Sequence, residues 1–381
     1  MKQFVPQRVR VEKDVIVRIA RVLSGKGTIS VSVNQEVKPS DIIGTSNISS
    51  GFRILNLATL LGVNPKDVGK YLKRDLGQRI YKGELLAYKP GGIFGGKKAV
   101  IAPTDGLLDF LNPQSGEMKM TVLPKKSDLP AGVFGIIESI DQEKGKVTII
   151  AQASRIYGMF GSGKLRDGIL EVLGKRESLV DNSFISPKSE GHILLSGSLI
   201  YKNAISESIS CGVNGIITGG INAKDYRAMA GGRLSFPKKL ENDIGISVVV
   251  TEGFGSIPMG LDIDDFLLQY NNRFVSIDGN NRIIDLPSYE ESSMARVRST
   301  KLPPIQDGVD LEQINKITEL QPGAYVRVVG NSYAGEQGKV LAIDESLTLL
   351  PSGLSSMLST IETKRRKIKV PVVNLEAIEY I

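Results

Sequence analysis

Apolar and polar side chains alternate most clearly near the C-terminus. Tyr325-Val326-Arg327-Val328-Val329 and Lys339-Val340-Leu341-Ala342-Ile343 place an apolar residue on every second position, the period of a strand with one buried face. Gly335 and Gly338 predict a tight turn between them, which puts Arg327 and Lys339 on turn-proximal, solvent-facing positions. A return strand is predicted over Lys369–Ile378. Upstream, residues 29–123 read as mostly β, and Gln35–Gly44 and Gln78–Ala87 repeat one rhythm of turn residue, acid and two apolar residues. Between these halves Leu55, Leu57, Leu60 and Leu61 recur at helical spacing and Asn64-Pro65 restarts a helix, so 55–77 form a helical insert. A further hairpin pairs Phe134–Ile140 with Lys146–Ala151.

The period changes between residues 191 and 270. His192-Ile193-Leu194-Leu195, Gly215-Ile216-Ile217 and Ile246–Val250 are solid apolar runs, alternating with helices over Ala204–Cys211, from Ala223, and over Asp262–Tyr270. Such runs suit a sheet covered by helices on both faces. Each ends in a glycine loop, and ligands of open α/β sheets sit outside the carboxyl ends of strands. Gly219, Gly220, Glu252, Gly253 and Gly255 are therefore the candidate lining of a ligand pocket. Residues 287–311 hold Pro287, Pro303 and Pro304 with little apolar content, and read as a linker leaving the last module loosely tethered.

Two segments resemble known modules. The Gly323–Ile343 pattern with its return strand resembles the KOW motif of NusG-type transcription factors and several ribosomal proteins, which implies an SH3-like barrel. The repeated half-motifs, with Ala102–Leu108 and Ser115–Met118 as a further hairpin, resemble the barrel-sandwich hybrid of biotinyl and lipoyl carriers and of a domain of large RNA polymerase subunits. The whole arrangement, including Thr251–Met259 before the linker, also resembles an uncharacterised bacterial protein family, a likeness that implies no activity.

The expected fold is thus multidomain α+β. A basic N-terminal segment (1–28) precedes a barrel-sandwich hybrid-like β domain (29–130) and a second β unit (131–180). A small central α/β domain (181–286), the linker (287–311) and a KOW/SH3-like domain (312–381) follow. The KOW resemblance implies a non-catalytic adaptor that docks RNA, the ribosome or the transcription machinery, RNA polymerase included. Tyr325, Arg327, Tyr333, Lys339, Lys364, Arg365, Arg366 and Lys367 would carry the contacts, aromatics by stacking and cations on phosphate. KOW modules also bind proteins through the same loops, so a protein partner stays open.

Composition refines this picture. The 381 residues suggest two to four domains. The net charge of +7 is concentrated at the start, where seven basic side chains in residues 1–26 face only Glu12 and Asp14. The tail from residue 320 is nearly balanced, and its dense patch is Lys364–Lys367. One cysteine, the lack of an apolar signal core and the lack of a long apolar run lead to the expectation of a cytoplasmic protein without a membrane span.

Four motifs carry chemistry only on paper. Gly158–Lys164 matches a phosphate-binding loop until Leu165 replaces the Ser or Thr that would ligate magnesium; a glycine-rich turn is the simpler reading. Met118-Lys119-Met120 matches the lysine motif of biotin carriers but falls inside a predicted strand. Glu252, between a buried strand and two glycines, is either an acceptor or general base for a ligand, or a cap for nearby amides. His192 and Cys211 are isolated, so neither a metal site nor a triad can be assembled. No catalytic residue, metal or cofactor is assigned. The competing class is an enzyme or small-molecule sensor using the α/β pocket.

Overall fold

Two twelve-residue strands, Val11–Val22 and Lys146–Tyr157, form the spine of the protein. They run antiparallel from Lys146 opposite Val22 to Ile156 opposite Val11. Their alternation buries Val17, Ile19, Val147, Ile149, Ala151 and Ala153 in one core. Past a register shift at Ala153/Arg155 the same strand delivers Ile156 to a second core. Its other edge is shared. The first half pairs with Gly135–Asp141 and the second half with Ile283–Pro287. One strand thereby joins a β unit to an α/β unit without a linker. The computed structural model describes residues 2–48, 51–91, 96–123, 125–229, 245–300, 315–330 and 333–378. Strands make up 47% of it and helices 15%, so the protein is β-rich, α+β and built on several sheets.

Beyond Ile283–Pro287 the sheet continues through Phe274–Asp278 to Arg166–Val172. From there Ile193–Leu195, Gly215–Ile221 and Ser247–Phe254 add in parallel, and Phe160–Ser162 closes the edge antiparallel. Helices Lys202–Ser210 and Ala223–Met229 cover one face through Ala204, Ile205 and Tyr226. Helix Leu261–Leu268 covers the other through Ile263 and Leu267. Burial on both faces is why every residue of Gly215–Ile221 is inaccessible.

The strand pair Ile42–Ile48 and Lys125–Pro130 frames an inserted module with its own core of Leu57, Val68, Ile80, Leu86, Leu108, Met118 and Met120. A four-stranded sheet, the hairpin Leu85–Lys89/Lys98–Ile101, a short helix and a 3-10 turn enclose this core. Asn56 caps the helix by accepting from Thr59 N at 2.9 Å, and Asn64 caps the 3-10 turn from Lys66 N.

The C-terminal module is a seven-stranded sheet with one core, to which the edge strand Lys367–Pro371 and Leu320, just past the opposite edge strand, both contribute. Val326, Val328, Val340, Ile361, Ile368, Val370 and Leu375 fill the interior. Its seventh strand comes from the far end of the chain. Phe4–Arg8 pairs antiparallel with Asn315–Glu319 and meets Leu375–Ala377 in parallel at Gln7 opposite Ala377, burying Val5.

Two expectations need correction. Residues 1–28 are not a separate basic segment, because they supply one strand to the C-terminal sheet and one to the spine. Nor is 287–311 wholly a linker. Ser293–Ser299 is a helix that buries Met294 and Val297, and Arg298 forks onto both carboxylate oxygens of Glu36 at 2.6 and 2.7 Å. Residues 301–311 lie outside the described residues. The last module is held by strand pairing rather than tethered loosely.

If Phe4–Arg8 completes the C-terminal core, Val5→Ala should destabilise that module by about 2 kcal/mol. Val22→Ala, at a position 49% exposed, should cost less than about 0.5 kcal/mol. Urea unfolding monitored through C-terminal proteolysis separates the two, and equal losses would contradict the assignment.

Candidate functional sites

Val326 and Val328 point into the C-terminal core, so Arg327 between them must point out of the sheet. It does not reach solvent. Nε and one terminal nitrogen bond the two Asp262 oxygens at 2.8 and 3.0 Å, and the terminal nitrogens reach both Glu252 oxygens at 3.0 and 3.3 Å. The side chain is 0% exposed. Glu376, opposite Arg327 in the register, brings an oxygen to 3.9 Å. Arg8 donates to Glu376 at 2.6 Å, while Arg10 sits 3.6 Å from Glu376 and 3.7 Å from Glu252 and donates to the Thr251 carbonyl. Three arginines and three carboxylates therefore interlock where the C-terminal module meets the α/β unit.

Burial alone would lower the Arg327 guanidinium, but the carboxylates of Glu252 and Asp262 outweigh it and hold the pKa above its ordinary value. Arg10 moves the other way, pushed down by burial and then by the charge of Arg327. Close backbone approach makes the contact possible. A Cβ on Gly260 would lie 2.0 Å from an Arg327 nitrogen, and one on Gly335 would lie 2.2 Å from Leu261 N. Gly335 also has φ +87°, a conformation glycine adopts without strain.

The predicted partner-contact residues therefore divide. Arg327 is withdrawn from the surface, correcting its assignment as solvent-facing, because its partners lie in a segment that folds over it. Tyr325, Lys339, Glu362 and Lys367 lie opposite one another in sequence across four neighbouring strands, and all are exposed. Lys364 and Arg365 are exposed at the adjoining hairpin tip. Arg366 folds back onto Glu336 and over the Tyr333 ring, 4.7 Å from its centroid.

The glycine pocket is corrected as well. Gly220 lies opposite Gly253, and Gly255 N donates to Ile221 O, so the predicted residues do meet. The space between them is taken by the chain itself. A Cβ on Gly219 would lie 2.3 Å from Ile257 O, and one on Gly220 would lie 2.0 Å from Gly255 O. Glu252 turns to the arginines and accepts from Gly260 N at 2.8 Å. Within Gly158–Lys164, Phe160–Ser162 is an edge strand, and a Cβ on Gly161 would lie 2.4 Å from Gly279 O. Lys119 lies mid-strand and pairs with Asp109 at 3.0 Å. His192 Nδ1 meets Glu171 at 2.8 Å. Burial, then Glu207, raises the Cys211 thiol. Among the described residues no group of three or more His, Cys, Asp or Glu is placed to hold a metal.

A cavity of about 370 Å³ opens instead at the carboxyl ends of Arg166–Val172 and Ile193–Leu195. Val172, Lys175, Arg176, Ser196, Asp264 and Leu268 line it. The sequence did carry a trace of it: Asp264 falls within the apolar helix Leu261–Leu268, one residue after the buried Ile263 and three before the buried Leu267. The chain matches no family model, no curated protein and no solved structure.

Arg327→Ala leaves Glu252 and Asp262 without their principal cation and should cost about 3–5 kcal/mol in denaturant unfolding; a loss below about 1 kcal/mol would contradict the burial. Burial raises the Asp264 carboxyl to about 6, with Arg176 pulling it back and Asp265 and Glu177 pushing it further up. The raised folded-state value means that ionised Asp264 opposes folding. The penalty is absent below about pH 4 and complete above about pH 6, where it amounts to about 3 kcal/mol. Asp264→Asn should therefore stabilise the protein near pH 8 and be neutral near pH 4, as measured by thermal unfolding.

Proposed function

We propose that the chain is a non-catalytic adaptor that docks single-stranded RNA, free or within the ribosome or transcription machinery, on the outer face of its C-terminal module. We read that module as a KOW-type SH3-like barrel and the inserted module as a barrel-sandwich hybrid. One observation carries the reading: Tyr325, Lys339 and Lys367 lie in a single exposed row, flanked by Lys364 and Arg365 at the hairpin tip. An aromatic ring in such a row offers a face to an unstacked base, and the lysines follow the phosphates. Glu362, paired with Lys367 at 3.5 Å, moderates the charge and argues for a short contact.

Arg327 belongs to the scaffold in this reading. The buried network fixes the module's orientation, so the row is presented in one pose.

Filter binding of short single-stranded RNA to the full chain tests the reading. With about four phosphate contacts, log K should fall against log salt with a slope near −3. Lys339→Glu/Lys364→Glu/Arg365→Glu should abolish binding without changing thermal stability. Salt-independent binding, or binding indifferent to the triple variant, would sink the reading. A stable protein complex that survives nuclease would replace it with a protein partner.

A further inference from the structure

We propose that the cavity between Val172, Leu195 and helix Leu261–Leu268 binds a small zwitterion of the amino-acid class, with its ammonium on Asp264 and Ser196 and its carboxylate toward Lys175 and Arg176. The site lies apart from the RNA-docking face, and the inference does not rest on that reading.

Location comes first. Side chains and loops of an α/β sheet converge at the carboxyl ends of its parallel strands. At Gly215–Ile221 and Ser247–Phe254 that end is sealed by the backbone of Gly255–Met259. The opening lies at Arg166–Val172 and Ile193–Leu195, where Val172 and Leu195 are the terminal strand residues. Its volume falls within the range of small-molecule sites.

The polar groups then select the ligand. Asp264 is 8% exposed, yet its carboxylate makes no hydrogen bond or ion pair among the described residues. Ser196 is 5% exposed, and its hydroxyl likewise has no partner. Leaving the Ser196 hydroxyl buried and unpaired costs free energy, and the Asp264 carboxylate faces the cavity as an acceptor without a donor. One cationic group with several N–H donors satisfies both, and ammonium is the smallest that does. Burial lifts Asp264 only to about 6, so near neutral pH it is mainly the anion that such a donor needs.

The mouth carries the opposite sign. Lys175 is exposed with no ion pair among the described residues. Arg176 is steadied by the Met259 carbonyl at 2.9 Å and by Glu177 at 3.0 Å. A carboxylate fits there. A polyanion such as a nucleotide does not, because Asp264 and Glu177 would both repel it. Val172, Leu195 and Leu268 leave an apolar wall for an aliphatic side chain.

The test uses the full chain and each of the proteinogenic amino acids singly at millimolar concentration, read by thermal shift and then by calorimetry. At least one should raise the melting temperature saturably. Its N-acetyl derivative, which lacks the cation, and its decarboxylated amine, which lacks the anion, should each bind at least about tenfold more weakly. Asp264→Asn, which should keep or improve folding, should weaken binding about tenfold, and Lys175→Ala several-fold. The proposal is overturned if no amino acid shifts the protein. It is equally overturned if the shift survives Asp264→Asn or if the N-acetyl derivative binds as well as its parent.

Discussion

The Arg327 guanidinium is the constraint on which the arrangement of modules depends. An arginine stripped of water is stable only where oxygen acceptors fill its fork, and here Asp262 and Glu252 fill it from the neighbouring unit. Their two charges are too many for one cation, so Arg10 shares Glu252, and Arg8 and Arg10 share Glu376. Both extra arginines come from the first ten residues. The ion network and the strand Phe4–Arg8 are therefore one device: the strand that completes the C-terminal core carries Arg8 and leads directly to Arg10, the charges that make the junction tolerable.

A similar economy governs the other half of the molecule. Lys146–Tyr157 is long enough to serve two partners along one edge, Gly135–Asp141 and Ile283–Pro287. Hydrogen bonds that would otherwise end at a sheet edge continue into a different unit. Arg155 lies within the second pairing, opposite Asp285, and forks onto it at 2.7 and 3.0 Å. Separate cores are joined by shared backbone, which resists reorientation more strongly than side-chain packing alone.

Alternation made the strands around Tyr325–Val328 and Gln337–Ile343 legible, and solid apolar runs made the parallel sheet legible. What alternation cannot encode is which outward face another unit will cover. Arg327 and Lys339 occupy the same face of the same hairpin, and one is sealed while the other is exposed. The difference lies in Glu252 and Asp262, 75 and 65 residues earlier in the chain. Phe4–Arg8 was hidden for a related reason, since it lies in the basic first 28 residues, whose Arg8 and Arg10 are taken up by distant acids. The glycines of Gly219-Gly220 and Gly253–Gly255 signalled close approach correctly, but glycine alone does not say whether a ligand or the chain's own backbone approaches.

Helix Leu261–Leu268 belongs to both places of interest. Asp262 in its first turn grips Arg327, and Asp264 two residues later faces the cavity. Met259, just before the helix, accepts from Arg176 at the cavity, while Gly260 donates to Glu252 at the junction. Groups this close share backbone, so changes at one place are not energetically independent of the other. A carboxylate drawing Arg176 outward would loosen its hold on the Met259 carbonyl, and the N–H of that same peptide, on Gly260, is the one that steadies Glu252.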